Sequence, residues 1–139
     1  MATTADLPRL ADRVGRYDAF RRWLRIAMAA NVLVGLALLV FPESLRALLA
    51  LPPAASAIYL RYIGLFIVVL TASYTPAAVF PPAARFLGIY AILVRVVFFI
   101  FFLIAGGGFL WFALFDAVFG VILASTFLAG VRDDLAKRP

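Results

Sequence analysis

Four long apolar runs dominate the chain, and short segments rich in proline, glycine or charge separate them. The runs are Ala19–Phe41, Ala57–Phe80, Ala83–Gly106 and Gly108–Val131. Each reaches about 20 residues, the length an α-helix needs to cross about 30 Å of hydrocarbon. None alternates with period two, which excludes a membrane β-barrel. A helix satisfies its own backbone hydrogen bonds in lipid. The pattern therefore predicts an all-α membrane protein of four antiparallel transmembrane helices.

The connections fit this division. Phe41–Ser56 carries prolines near both ends and a short amphipathic stretch between them. Pro81–Arg85 interrupts the second and third runs, and Gly106–Gly108 forms a tight, flexible link between the third and fourth. The expected organisation is a basic cytoplasmic segment at 1–18, a transmembrane domain at 19–131 and a cytoplasmic tail at 132–139. Within the first segment Asp6 is placed to cap an interfacial helix and Pro8 suits its first turn. Leu7, Leu10, Val14 and Tyr17 fall on one side, and Arg9, Arg13 and Arg16 on another. Three further runs follow the first, so it reads as a permanent helix rather than a cleaved signal peptide.

Composition narrows the chemistry. Of 139 residues, 66% are hydrophobic and 14% charged. A soluble domain is closer to half apolar and a quarter charged. The absence of cysteine and histidine removes disulfides, thiolate and imidazole metal sites and histidine-ligated haem. No phosphate-binding loop, dinucleotide-binding glycine pattern or nucleophile elbow is present. The chain reads as non-catalytic, with neither metal nor cofactor.

The formal charge is +6, and its distribution speaks for a membrane rather than a nucleic acid. Arg9, Arg13, Arg16, Arg21, Arg22 and Arg25 precede or open the first run. Arg85 lies in the second connection, and Arg132, Lys137 and Arg138 lie in the tail. The first connection has only Arg46, and the third has no basic residue. By the positive-inside rule both termini and Pro81–Arg85 are cytoplasmic. The basic residues then lie beside anionic lipid headgroups. Trp23 and Tyr74 fall near that interface, and Trp111 near the opposite one.

Four polar residues interrupt the apolar runs: Asn31, Arg61, Arg95 and Asp116. Charges at such depth cost several kcal/mol unless paired or hydrated, so they face the bundle interior. At 1.5 Å per residue, Arg95 and Asp116 lie about 15 and 12 Å from the Gly106–Gly108 link. Asn31 lies about 15 Å below Phe41, and Arg61 about 6 Å from Ala57. The four are expected to share one layer. Small residues recur beside them at helical spacing: Ala27 and Gly35; Gly64; Ala84, Gly88 and Ala91; Ala113, Ala117, Gly120 and Ala124. Such residues let membrane helices approach closely, while Phe112, Phe115 and Phe119 are expected to face lipid or another subunit. Two arginines against one carboxylate leave a cation over unless Glu43 reaches Arg61. Ser125 and Thr126, near the inner end of the last run, are expected to bond back to their own backbone.

The segments FPESLRALLALPP, YLRYIGL, RFLGIYAILVRVVF and FALFDAVFG resemble small bacterial four-helix membrane proteins of the DoxX-like and similar uncharacterised groups. The resemblance covers roughly Asn31 to Leu128. It implies a small bacterial inner-membrane accessory subunit, of a kind linked in some members to quinone-coupled oxidation. Twelve arginines against one lysine fit a GC-rich bacterial genome.

The expected function is a non-catalytic integral membrane protein, a homo-oligomer or part of a larger membrane complex. Its Arg95–Asp116–Asn31 layer either fixes helix register or binds a lipid, quinone or other anionic amphiphile. The alternatives are a small transporter or channel with that layer as its midpoint, and a quinone-reactive subunit using Arg61 and Arg95.

Overall fold

The computed structural model describes residues 7–53 and 56–136, with side chains from residue 11 onward. All regular elements among them are helices: α1 (Leu7–Gly15), α2 (Asp18–Val40), α3 (Pro42–Leu48), α4 (Ala57–Ala72), α5 (Thr75–Val79), α6 (Arg85–Ala105) and α7 (Leu110–Ala136), the last preceded by a 3₁₀ turn at Gly107–Phe109. Three stretches are long and apolar enough to cross a membrane: Asp18–Val40, Arg85–Ala105 and Gly107–Ala136. Ala57–Ala72 is apolar but shorter. The expected cap Asp6 and the tail residues Lys137 and Arg138 lie outside the described residues, as do the side chains of Leu7, Pro8, Arg9 and Leu10.

The second apolar run is divided. Ser73 and Tyr74 separate α4 from α5, where an unbroken span to Phe80 was expected. Pro76, in the first turn of α5, has no N–H to give and its ring crowds the carbonyl of Ala72. The hydroxyls of Ser73 and Thr75 donate to the carbonyls of Leu70 and Ala72 (2.6 and 2.8 Å), satisfying backbone groups that the break exposes. Elsewhere Ser56 caps α4 by accepting from the Ile58 N–H at 3.3 Å. Gly106, at φ 65° and ψ −163°, turns the chain between α6 and α7. Ser125 and Thr126 both donate to the carbonyl of Ile122, as their placement in an apolar helix suggested.

Helix α2 packs on α4, α6 packs on α7, and α2 meets α7 between the two pairs. Lipid is as apolar as the side chains, so tight van der Waals packing rather than release of water holds such helices together. Glycines make the close approaches. Gly88 leaves room for the ring of Phe127, which meets Phe20 edge-on at 5.1 Å between centroids. Gly130 seats the ring of Tyr17. Tyr17, Phe20, Leu24, Ala27, Tyr74, Ala77, Ala91, Leu123 and Phe127 form the buried apolar cluster. Tyr74, just before α5, is thus buried within the protein. Leu33, Val121 and Ile104 are among many large apolar side chains left exposed, the surface a lipid-facing helix needs.

Candidate functional site

Helix α6 buries Gly88, Ala91 and Arg95. Helix α7 buries Ala113, Asp116, Gly120, Leu123, Phe127, Gly130 and Asp134. Both rows follow three- and four-residue steps, so each polar residue sits on its helix's packing stripe. Nη1 of Arg95 donates to Oδ1 of Asp116 at 2.6 Å. Its Nη2 donates to Oδ1 of Asn31 at 3.2 Å. The Asn31 amide in turn donates to the hydroxyl of Thr71 at 3.2 Å. Arg95 and Asp116 are only 6% and 8% exposed. One hydrogen-bonded chain therefore joins α7, α6, α2 and α4.

The Arg95 guanidinium also lies over two rings, with Cζ 5.0 Å from the centre of Phe115 and 5.6 Å from Phe119. A cation over an aromatic face is attracted by the ring quadrupole. These two half-buried phenylalanines therefore partner the layer.

Arg61 does not join the layer. Its side chain is exposed. The buried row of α4 runs through Leu60, Gly64 and Thr71, and Arg61 is turned about 100° from Leu60 by the helical step. Glu43 is not its partner either, because Glu43 binds Nε of Arg46 at 2.7 Å. The layer holds one cation and one anion, and the expected surplus charge is absent from it. Tyr74, whose backbone N–H donates to the carbonyl of Thr71 at 3.1 Å, is 3% exposed, and its hydroxyl has no hydrogen-bond partner.

A second polar cluster was not anticipated. Asp134 is 2% exposed. It accepts from Nη2 of Arg16 at 2.9 Å and from Arg85, and forms an ion pair with Nε of Arg13 across 3.4 Å. Arg16 also pairs with Asp12. The bond to Asp134, with burial opposing it and Asp12 assisting, holds the Arg16 guanidinium above its ordinary pKa, so its charge is permanent. Arg21 binds Asp18 at 2.9 Å and reaches the carbonyl of Ala78. Arg13, Arg16 and Arg21 are thus occupied within the protein, whereas Arg22 and Arg25 are exposed. The missed signal was spacing: Phe127, Gly130 and Asp134 continue the stripe of Asp116 and Gly120 beyond the apolar run. No group of histidine, cysteine or acidic residues suited to a metal occurs among the described residues.

No protein family, no curated protein and no solved structure shows significant similarity to this chain.

Proposed function

We propose that this is a non-catalytic integral membrane protein that crosses a bacterial inner membrane four times and serves as an oligomeric or accessory subunit. Ala57–Ala72, continued by α5, is its remaining span. Antiparallel neighbours are supported by the pairs along each interface. Gly88 meets Phe127 and Arg95 meets Asp116, so numbers rise along α6 as they fall along α7. Asn31 with Thr71 and Gly35 with Gly64 run the same way on α2 and α4. The basic residues before α2, in Arg85 and after α7 favour cytoplasmic termini.

The observation that carries this reading is the chain from Asp116 through Arg95 and Asn31 to Thr71. Its buried donors and acceptors are spent on one another across four helices, which is the chemistry of a clasp. The exposed apolar surface remains for lipid and for neighbouring proteins.

The test is a double-mutant cycle read as thermal stability in detergent. Arg95→Leu and Asp116→Leu each strand a buried charge and should cost about 3–5 kcal/mol, and the double variant should recover most of that loss. Single variants as stable as the parent would refute the clasp. Native mass spectrometry showing only bare monomers would refute the subunit role. A transport midpoint would instead make cysteines at 31 and 71, both in the layer, reactive from both sides of the membrane.

A second reading rests on Tyr74. Its unpartnered, buried hydroxyl, one turn from Thr71 at the end of the polar chain, suits a layer that also receives the oxygen of a quinone or lipid headgroup. Tyr74→Phe should then weaken retention of that amphiphile without lowering stability.

A further inference from the structure

The buried row of α2 runs through Phe20, Leu24 and Ala27. Arg22 and Arg25 lie on the opposite side of that helix by the 100° step, and both are exposed. Ala29 and Leu33 continue their stripe at four-residue steps and are exposed as well. Two cations thus head an outward-facing apolar strip. Neighbouring arginines are already bonded: Arg21 to Asp18 and to the carbonyl of Ala78, and Arg13, Arg16 and Arg85 to Asp134. Among the described residues, no carboxylate or ring pairs with Arg22 or Arg25.

Depth makes these two charges conspicuous. Counted back from Val40, where α2 ends, Arg25 lies about 23 Å and Arg22 about 27 Å along the axis, against about 30 Å of hydrocarbon. A cation at that depth on an outward face is costly unless it meets an anion or water. Helical side chains lean toward the N-terminus of their own helix. Both guanidiniums therefore lean toward the nearer headgroup layer, with their alkyl stems along apolar surface. A zwitterionic headgroup brings its own cation to that layer, whereas a headgroup of net negative charge answers two unpaired guanidiniums.

We propose that this outward face of α2 is a binding surface for an anionic phospholipid of the bilayer, with the headgroup phosphate at Arg22 and Arg25 and an acyl chain along Ala29 and Leu33. The basic residues at this end then divide by task. Arg13, Arg16, Arg21 and Arg85 tie the protein to itself, and Arg22 and Arg25 select its lipid. The inference rests on the membrane reading and is independent of the Arg95–Asp116 clasp, which faces the interior.

The experiment is tryptophan fluorescence of the full chain in vesicles of phosphatidylcholine and phosphatidylglycerol, with one lipid or the other brominated on its acyl chains as quencher. Ala29→Trp combined with Trp23→Phe and Trp111→Phe puts a lone reporter on the stripe, one turn beyond Arg25. Phosphatidylglycerol should be enriched about fivefold over phosphatidylcholine at this reporter, the factor for one arginine near an anionic membrane surface. Adding Arg22→Gln and Arg25→Gln should abolish the preference. Adding Arg61→Gln instead, which removes an exposed cation from α4, should leave it unchanged. With Trp23→Phe alone the reporter is Trp111, in the first turn of α7, and Arg22→Gln with Arg25→Gln should not alter its quenching. Equal enrichment of the two lipids at the Ala29→Trp reporter would overturn the site. So would a preference that survives loss of both arginines, or one lost equally on Arg61→Gln, which would mean attraction by net charge alone. No quenching by either brominated lipid at either reporter would refute the membrane reading itself, so the two failures are distinguishable.

Discussion

Gly35 and Gly64 bring α2 and α4 together so closely that a Cβ on either would collide with the other's carbonyl oxygen, at 2.8 Å from Gly35 and 2.5 Å from Gly64. No side chain larger than hydrogen fits between these backbones. The contact sets the separation at which Asn31, one turn away from Gly35, reaches Thr71.

Gly64→Ala should therefore force the two helices apart and cost about 1–3 kcal/mol by overpacking. Gly120→Ala provides the contrast. A Cβ there meets only Cβ of Arg95 at 3.5 Å, an ordinary contact, and alanine favours the helix by up to about 1 kcal/mol. Thermal unfolding in detergent should show a lower midpoint for the first variant and an equal or higher one for the second.

The polar chain should weaken unequally along its length. Asn31→Leu removes an acceptor from the buried Arg95 guanidinium and should cost about 1–3 kcal/mol. Thr71→Val removes only the terminal neutral hydrogen bond, for about 0.6 kcal/mol, the usual value inside membranes. A reversed order in denaturation midpoints would mean that Asn31 is held chiefly by α4.

Buried Asp134 should outweigh the exposed carboxylates. Asp134→Asn withdraws the shared anion from Arg13, Arg16 and Arg85 and should cost about 1–3 kcal/mol. Glu43→Gln breaks a pair within one short helix, with Glu43 more than half exposed, and should change stability by less than about 0.5 kcal/mol. Limited proteolysis near the N-terminus should accelerate only in the Asp134 variant, because α1 loses its anchor to α7.

Backbone conformation yields opposite outcomes at two loop positions. Gly106 occupies a region open essentially to glycine alone, so Gly106→Ala should cost about 1–3 kcal/mol. Ala50 stands at φ 51°, where alanine is strained, and Ala50→Gly should stabilise by about 1 kcal/mol. Circular dichroism melts of both variants against the parent would establish the signs.

Much of the site was readable from spacing alone. Arg95 shares a four-residue row with Gly88 and Ala91, and Asp116 shares one with Ala113 and Gly120. A three-glycine link makes their helices neighbours at matching depth. Regular helices in lipid leave few other places for a charge, so periodicity and length led directly to this pair. The break between α4 and α5 was not read, because the hydropathy of the surrounding residues outweighed Pro76.

Other features depended on how the helices pack. Arg61 and Leu60 differ by a single helical step, and only contact with α2 decides which of them turns inward. Asp134 lies past the last long apolar run, where hydropathy no longer distinguishes a buried face from a solvated tail. Its burial required α1 and the start of α6 to arrive beside α7 with three arginines, a meeting of segments 49 and 118 residues distant in the chain. The sequence by itself determined helices, their apolarity and the interior stripe, since these follow from local covalent geometry. Tertiary structure alone decided the partners of each charge, because ion pairing depends on distances between segments that local pattern does not encode.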